Sequence, residues 1–328
     1  MAEVRRSSVV TDTAKNVTSL PISTTDVAKG KGPGKSNVPQ LEFKSRGLWA
    51  DAWRRLFRNK AAVFGLVVLI VLLLVAIFAV YIQRYPQELQ SFKKADQSLP
   101  PSGDHWLGTE PKTGRDVWSR LVNGSVISVQ VGFIVQIIVL GLGVPLGLIA
   151  GYFGGWLDQL IMRVVDIFYA FPSILLAMVM VAALGRSTFI IFIAVGLATW
   201  APMARLVRGQ VLSQREKEFV EAARAIGVKK STIMWRHIFP NILGPIIIAV
   251  SFGIPDAILT EAFLSFIGIG APPPNPSWGQ LATDYRAYYA TYPLLILWPS
   301  LAITVTVLGL NFLGDGMRDA LDPRSKNR

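Results

Sequence analysis

Six stretches of this chain run about 18 residues or more almost without charge, long enough as helices to cross about 30 Å of hydrocarbon at about 1.5 Å per residue. Charged residues bound each of them. The first covers residues 61–82, and the second lies between Arg120 and Asp158. The third lies between Asp166 and Arg186, and the fourth between Arg186 and Arg205. The fifth starts at Pro240 and runs toward Phe266, carrying Asp256 and Glu261 within it. The sixth lies between Arg286 and Asp315. A chain built this way has to be an all-helical, polytopic integral membrane protein, because only a helix satisfies its own backbone in lipid at this segment length. The third and fourth stretches meet at Leu184-Gly185-Arg186-Ser187 and read as a tight helical hairpin.

The basic residues orient the spans. With the amino terminus inside, the inner segments are 1–60, 151–166, 205–240 and 315–328, and they hold 25 of the 33 Lys and Arg residues. That asymmetry follows the positive-inside rule and places both termini in the cytoplasm. The net charge of +12 is thus a topological signal, and nucleic acid is not an expected partner. The chain has no cysteine and two histidines, which excludes disulfides, thiol chemistry and Cys-bound metal. The expected organisation is a disordered tail over 1–50, a juxtamembrane segment and first span over 51–83, and an outer loop over 84–125. A five-helix core over 126–316 and a cytoplasmic tail over 317–328 complete it.

Gly143, Gly147, Gly151 and Gly155 recur every four residues, so they form one helix stripe where another helix can come close, either as a packing seam or as a pore lining. Tyr152, Trp156, Trp200, Trp278 and Trp298 are expected as interfacial anchors. Residues 30–36 contain Gly34-Lys35-Ser36, but the phosphate-loop spacing needs a glycine where Lys29 stands, and no apolar strand precedes it. The chain therefore is not expected to hydrolyse ATP, and no Ser/His/Asp, metal or paired-carboxylate constellation stands out. Asp256 and Glu261 are expected to face protein or water, because a charge in mid-bilayer is costly. Asp256 is a candidate for the solute path or for bonding to neighbouring helices. Glu261 is expected to stabilise a broken backbone near Pro255. Arg115 and Asp116 read as a local ion pair or loop cap, with contact to an external partner as the alternative.

The segment 213–240 is the most informative outside the spans. Ser213 and Glu216 have capping-box spacing, and Phe219, Ala222, Ala223 and Ile226 recur as a helical stripe. Gly227 is placed to end that helix in a left-handed cap, and a second short helix is expected to run from Ser231 or Thr232 to Pro240. A small-residue face flanked by Glu218 and Glu221 suits a protein groove better than an anionic membrane.

Here the sequence resembles a known family. Glu221-Ala222-Ala223 followed by Gly227, and His237-Ile238-Phe239-Pro240-Asn241 after it, are similar to the EAA coupling loop of ABC importer permeases of the peptide/nickel branch. His105-Trp106-Leu107-Gly108-Thr109-Glu110 with Gly114-Arg115-Asp116 resembles the segment before span two, with Glu110 in place of the usual Asp. The runs 258–268, 276–279 and 313–324 resemble the family's remaining signatures in order. The likeness covers about residues 47–324 and matches the C-type permease of dipeptide and oligopeptide ABC importers.

That resemblance implies a type I importer permease fold: six transmembrane helices with a cytoplasmic coupling hairpin, in the inner membrane of a prokaryote. It implies a homologous second permease, two cytoplasmic ATPase subunits that hold ATP and Mg, an extracytoplasmic solute-binding protein and a peptide substrate. The chain itself carries no cofactor. Import of nickel or another small solute is the alternative, as is a stand-alone secondary transporter. The expected coupling residues are Phe219, Glu221, Ala222, Ala223, Ala225, Ile226, Gly227 and Pro240. Asp256 and Glu261 are candidates for the substrate path, and Arg115, Asp116 and Trp278 for docking of the binding protein.

Overall fold

A computed structural model describes residues 48–86, 89–272 and 276–321. The tail reading for residues 1–50 falls almost entirely outside the described residues, as do Lys31, Lys326, Pro273, Pro274 and residues 322–324.

The chain enters through α1 (Leu48–Arg58) and turns at Asn59 into α2 (Lys60–Ile77). Asn59 explains the break between them: its Oδ1 accepts from the backbone N of Ala61 at 3.0 Å and of Ala62 at 3.3 Å, capping α2. A short helix, α3 (Ala79–Ile82), finishes the first crossing. A loop with no strand among the described residues leads to α4 (Val117–Phe153), the 37-residue centrepiece of the fold.

After α4, four shorter helices follow: α5 (Gly155–Ala170), α6 (Ser173–Leu184), α7 (Thr188–Thr199) and α8 (Ala201–Arg215). The third and fourth stretches were expected as simple spans, and the structure bends both. α5 and α6 meet at 88° across Phe171-Pro172, and α7 and α8 meet at 42° around Trp200. Proline accounts for both elbows. Pro172 disfavours helix at Phe171, and Pro202 sits at the first turn of α8, where its missing N–H costs nothing. Four helices are long and apolar enough to cross a membrane alone, and six if each bent pair is one span. The hairpin between α6 and α7 forms as expected, with Gly185 at φ +98° and the Ser187 Oγ accepting from Ile190 N at 3.1 Å.

Next come α9 (Glu218–Ala225) and α10 (Lys230–Thr232), a π-wound segment (Ile233–Ile238) and α11 (Phe239–Phe266). Then α12 (Trp278–Arg286) precedes α13 (Pro293–Leu321). The sequence suggested a separate second hairpin helix ending at Pro240. Instead, Lys230–Phe266 is one continuous 37-residue helix. The π-turn lies directly before Pro240, which lacks the N–H an α-helix would direct at Arg236. Widening the turn there relieves the ring clash. Asn241 Nδ2 donates to the neighbouring His237 carbonyl at 2.6 Å.

The glycine stripe is a packing seam against α8. A Cβ at Gly143 would lie 2.7 Å from the Met203 Cβ, at Gly147 2.6 Å from the Ala204 carbonyl, and at Gly151 2.8 Å from the Val211 Cβ. Gly155 is not part of it, since it starts α5 with φ +59° and faces open space. A second seam joins α2 to α13, where a Cβ on Gly65 would meet the Gly309 carbonyl and one on Gly316 would meet Ala62. Ion pairs brace α5 on α8: Arg208 grips Asp158 with both Nε and Nη2, at 2.6 and 2.7 Å, and Arg205 reaches Asp166 at 2.6 Å. Of the expected interfacial aromatics, Trp156 is exposed and Trp298 partly so, whereas Tyr152, Trp200 and Trp278 are buried in helix contacts.

Candidate functional site

α9 is held on one side and free on the other. Val220 and Ala223 are buried, with Ile233, Met234 and Ile238 of the π-segment in the same apolar cluster. Phe219, Ala222, Ala225 and Ile226 are exposed, Ile226 at 80%. The expected stripe therefore splits. Phe219, Ala222 and Ile226 form an outward apolar face, while Ala223 belongs to the chain's own packing and cannot itself enter a partner's groove. Glu218 and Glu221 stand exposed beside that face.

The two ends of α9 differ from expectation in one respect. Ser213 lies inside α8, so the Ser213–Glu216 capping box does not form; Lys217 precedes α9 without a side-chain cap. Gly227 does close the helix, at φ +77°, and Val228 N donates to the Ala223 carbonyl at 3.0 Å. That six-residue closure is a Schellman turn, which a β-carbon at Gly227 would strain. Two residues later the long helix begins, so α9 sits on a short turn at the base of α11. Pro240 is part of that helix, two residues beyond the end of its π-wound turn.

α11 carries two carboxylates into the span, and they are used differently. Glu261 is buried, and its Oε1 accepts from Ser265 and from Ser277, each at 2.6 Å. Pro255 does not break the helix, so the expected role of Glu261 at a broken backbone is replaced by this clamp onto the start of α12. Ser277 also caps α12 by accepting from Gln280 N at 3.1 Å. The close approach continues at Gly279, where a Cβ would lie 2.4 Å from the Ala262 Cα. Asp256 is exposed and lines a cavity of about 1030 Å³ walled by α4, the two elbows, α11, α12 and α13.

The loop before α4 packs by its own polar chemistry. Asp116 Oδ2 caps α4, accepting from Ser119 N at 2.8 Å and Ser119 Oγ at 2.7 Å, while Oδ1 bonds His105 Nδ1 at 2.9 Å. Asp116 thus fulfils the capping reading, and its ion partner is not Arg115. Arg120 Nε lies 2.8 Å from Glu110 Oε1, and the Tyr285 hydroxyl donates to that same oxygen at 2.9 Å. Burial, with the Glu110 carboxylate beside it, holds the Tyr285 phenol well above its usual range. Burial and then the charge of Arg120 lower the Arg115 guanidinium. Trp278 Nε1 donates to the Leu121 carbonyl at 2.9 Å. Asp116 and Trp278 are both buried, so of the three docking candidates Arg115 alone reaches partly toward solvent.

Several parts of this arrangement escaped the sequence reading. The Gly65–Gly309 seam has no repeat to betray it, Tyr285 stands in no motif, and the family-like run around Ser277 did not announce its bond to Glu261. The comparisons with known proteins match where the geometry does. Residues 143–327 match the binding-protein-dependent transport system inner membrane component family. The chain belongs to that family. Residues 47–101, the first crossing and its loop, match the N-terminal TM domain of oligopeptide transport permease C.

Among its relatives, the dipeptide transport system permease protein DppC of Alkalihalophilus pseudofirmus is 42% identical over 89% of this chain and 95% of its own. The oligopeptide transport system permease protein OppC of Bacillus subtilis is 41% identical over 88% of this chain and 93% of its own. A solved structure of the MetNI methionine ABC transporter, in inward-facing conformations, superposes with a TM-score of 0.52 at 19% identity. It covers 62% of this chain and 96% of that one, and shows that the fold is that of an ABC importer permease. Members of this family are membrane transport components, so this chain is a multi-pass membrane permease subunit.

Proposed function

We propose that this chain is the C-type permease subunit of an ABC importer that carries di- or oligopeptides across the inner membrane of a prokaryote. One observation carries the reading: the outward face of Phe219, Ala222 and Ile226 sits on a short turn at the foot of a single helix that runs on to Asp256 and Glu261. A 37-residue helix is about 55 Å long, so a push on α9 reaches the cavity wall along one continuous helix. Two cytoplasmic ATPases, holding the ATP and Mg that this chain does not, would grip α9 here and on a homologous second permease. Their closure would rock the spans between inward- and outward-open states. An extracytoplasmic binding protein would hand over the peptide, with both termini of this chain in the cytoplasm. The peptide assignment is supported by the relatives named for dipeptide and oligopeptide transport.

The test is uptake and ATP hydrolysis by the complex of this chain, a second permease, both ATPases and the binding protein in proteoliposomes, given a panel of di- to hexapeptides. Peptide-dependent hydrolysis coupled to accumulation is the expected result. Hydrolysis stimulated by nickel or an unrelated solute and not by any peptide would overturn the substrate class. Solute flux without any ATPase chain would overturn the importer reading itself.

A further inference from the structure

We propose that Asp256 is a cation-recognition point within the translocation cavity and takes the ammonium end of the solute as it crosses; this rests on the importer reading. The cavity is large, about 1030 Å³, at the upper end of what a small-molecule site holds. Among the described residues that line it, Asp256 is the one charged side chain; the rest are apolar, aromatic or neutral polar. Its carboxylate is exposed to that space and makes no hydrogen bond or ion pair among the described residues. The contrast with Glu261, five residues further along the same helix, decides the matter. Glu261 is buried and its Oε1 is bonded to two serines, so there the fold uses a carboxylate oxygen on α11 as a brace. At Asp256 it does not.

The rest of the wall suits the same ligand. Gln136 is nearly buried yet borders the cavity, and its amide makes no hydrogen bond among the described residues. Gly253, three residues before Asp256 on the same helix face, keeps that amide in place; a Cβ there would lie 2.6 Å from the Gln136 Oε1. Phe252 and Phe263 also line the space, as does Phe266, whose ring already carries the Arg286 guanidinium at 5.0 Å. A carboxylate, an unpaired primary amide and aromatic faces lining one space favour an ammonium carried next to a peptide bond.

Two measurements on the assembled complex test this, and they fail independently. The natural chain has no cysteine, so Thr260→Cys, on the cavity wall one turn from Asp256, reports the local field. A cationic methanethiosulfonate should modify it roughly tenfold faster than an anionic one of similar size, and Asp256→Asn should erase that ratio. An equal ratio in both backgrounds, as a basic residue of a second subunit neutralising Asp256 would produce, overturns the proposal. So does a cysteine at 260 that neither reagent reaches. In the second arm, Asp256→Asn should cut uptake of a free-amine dipeptide roughly tenfold while its N-acetylated form changes less than about twofold. Equal losses on both overturn the proposal. If the unsubstituted complex moves neither peptide, the peptide reading falls, and the labelling arm still decides Asp256.

Discussion

Glu261 and Ser277 lie sixteen residues apart and are joined by a buried hydrogen bond of 2.6 Å, which ties the far end of α11 to the first turn of α12. Ser265 donates to the same Glu261 oxygen, so one carboxylate atom collects two hydroxyls. The loop between α11 and α12 contains the proline-rich stretch, and this contact is what sets where α12 starts. It also fixes Trp278, the next residue, against α4.

Removing either partner should therefore destabilise the complex, and removing both should cost less than the sum. Ser277→Ala and Glu261→Met, a substitution of similar length that has no acceptor, are each expected to lose about 1–3 kcal/mol, because a buried polar group loses its partner. The double substitution should show a coupling of about 0.5 kcal/mol or more. Thermal unfolding of the detergent-solubilised complex measures all three. Strictly additive losses would mean that the two side chains do not act on each other.

The split face of α9 gives a second expectation. Ala222→Trp enlarges the exposed face and should leave assembly intact while reducing transport and its coupled ATP hydrolysis steeply. Ala223→Trp places a large ring into the chain's own core, where overpacking costs about 1–3 kcal/mol, so it should lower the yield of folded complex instead. Size-exclusion profiles together with ATPase rates separate the two. Normal coupling in a well-assembled Ala222→Trp complex would show that this face does not dock the ATPase.

Gly227 holds φ +77° with open space around its α-carbon, so a side chain there meets strain and no clash. Gly227→Val should cost on the order of 1 kcal/mol or more, and Gly227→Asn distinctly less, since asparagine tolerates this conformation. Coupled transport should rank glycine, then asparagine, then valine. Equal activity of all three would mean that the turn between α9 and the long helix does not transmit force.

The Glu110–Arg120 pair should prove costly to break. Glu110→Ala leaves the buried Arg120 guanidinium with Asp284, at 3.3 Å, as its remaining carboxylate partner, and should destabilise the chain by less than the roughly 3–5 kcal/mol of a fully uncompensated buried charge but by more than about 1 kcal/mol. Tyr285→Phe removes only one donor to Glu110 and should cost about 1 kcal/mol. Chemical or thermal denaturation of the purified complex ranks them.

Orientation is tested on the same cysteine-free background. Cysteines at exposed Asp104 and exposed Lys230 should behave oppositely toward an impermeant thiol reagent added to intact cells. Position 104 should label from outside and position 230 only after permeabilisation. The reverse pattern would invert the topology drawn from the basic residues.

What the sequence determined by itself is the part that follows from spacing and charge. Uncharged stretches of spanning length can only be helices in lipid, and the distribution of Lys and Arg gives the orientation expected of them. Gly227 announced its cap because only glycine adopts that backbone cheaply, and the Gly143–Gly151 stripe announced a seam because small residues at a spacing of four leave a groove. The tertiary structure decided everything that depends on which element lies opposite. Ala222 and Ala223 are chemically identical neighbours, yet one faces outward and the other packs in the core with the π-segment. Asp256 and Glu261 share a helix, yet Ser277 reaches only one of them, because α12 returns to that end of α11. The bends at Pro172 and Trp200 were likewise hidden, since hydropathy counts residues and does not record the angle between them. Periodicity along one helix is local information, whereas burial and pairing belong to the contact between two.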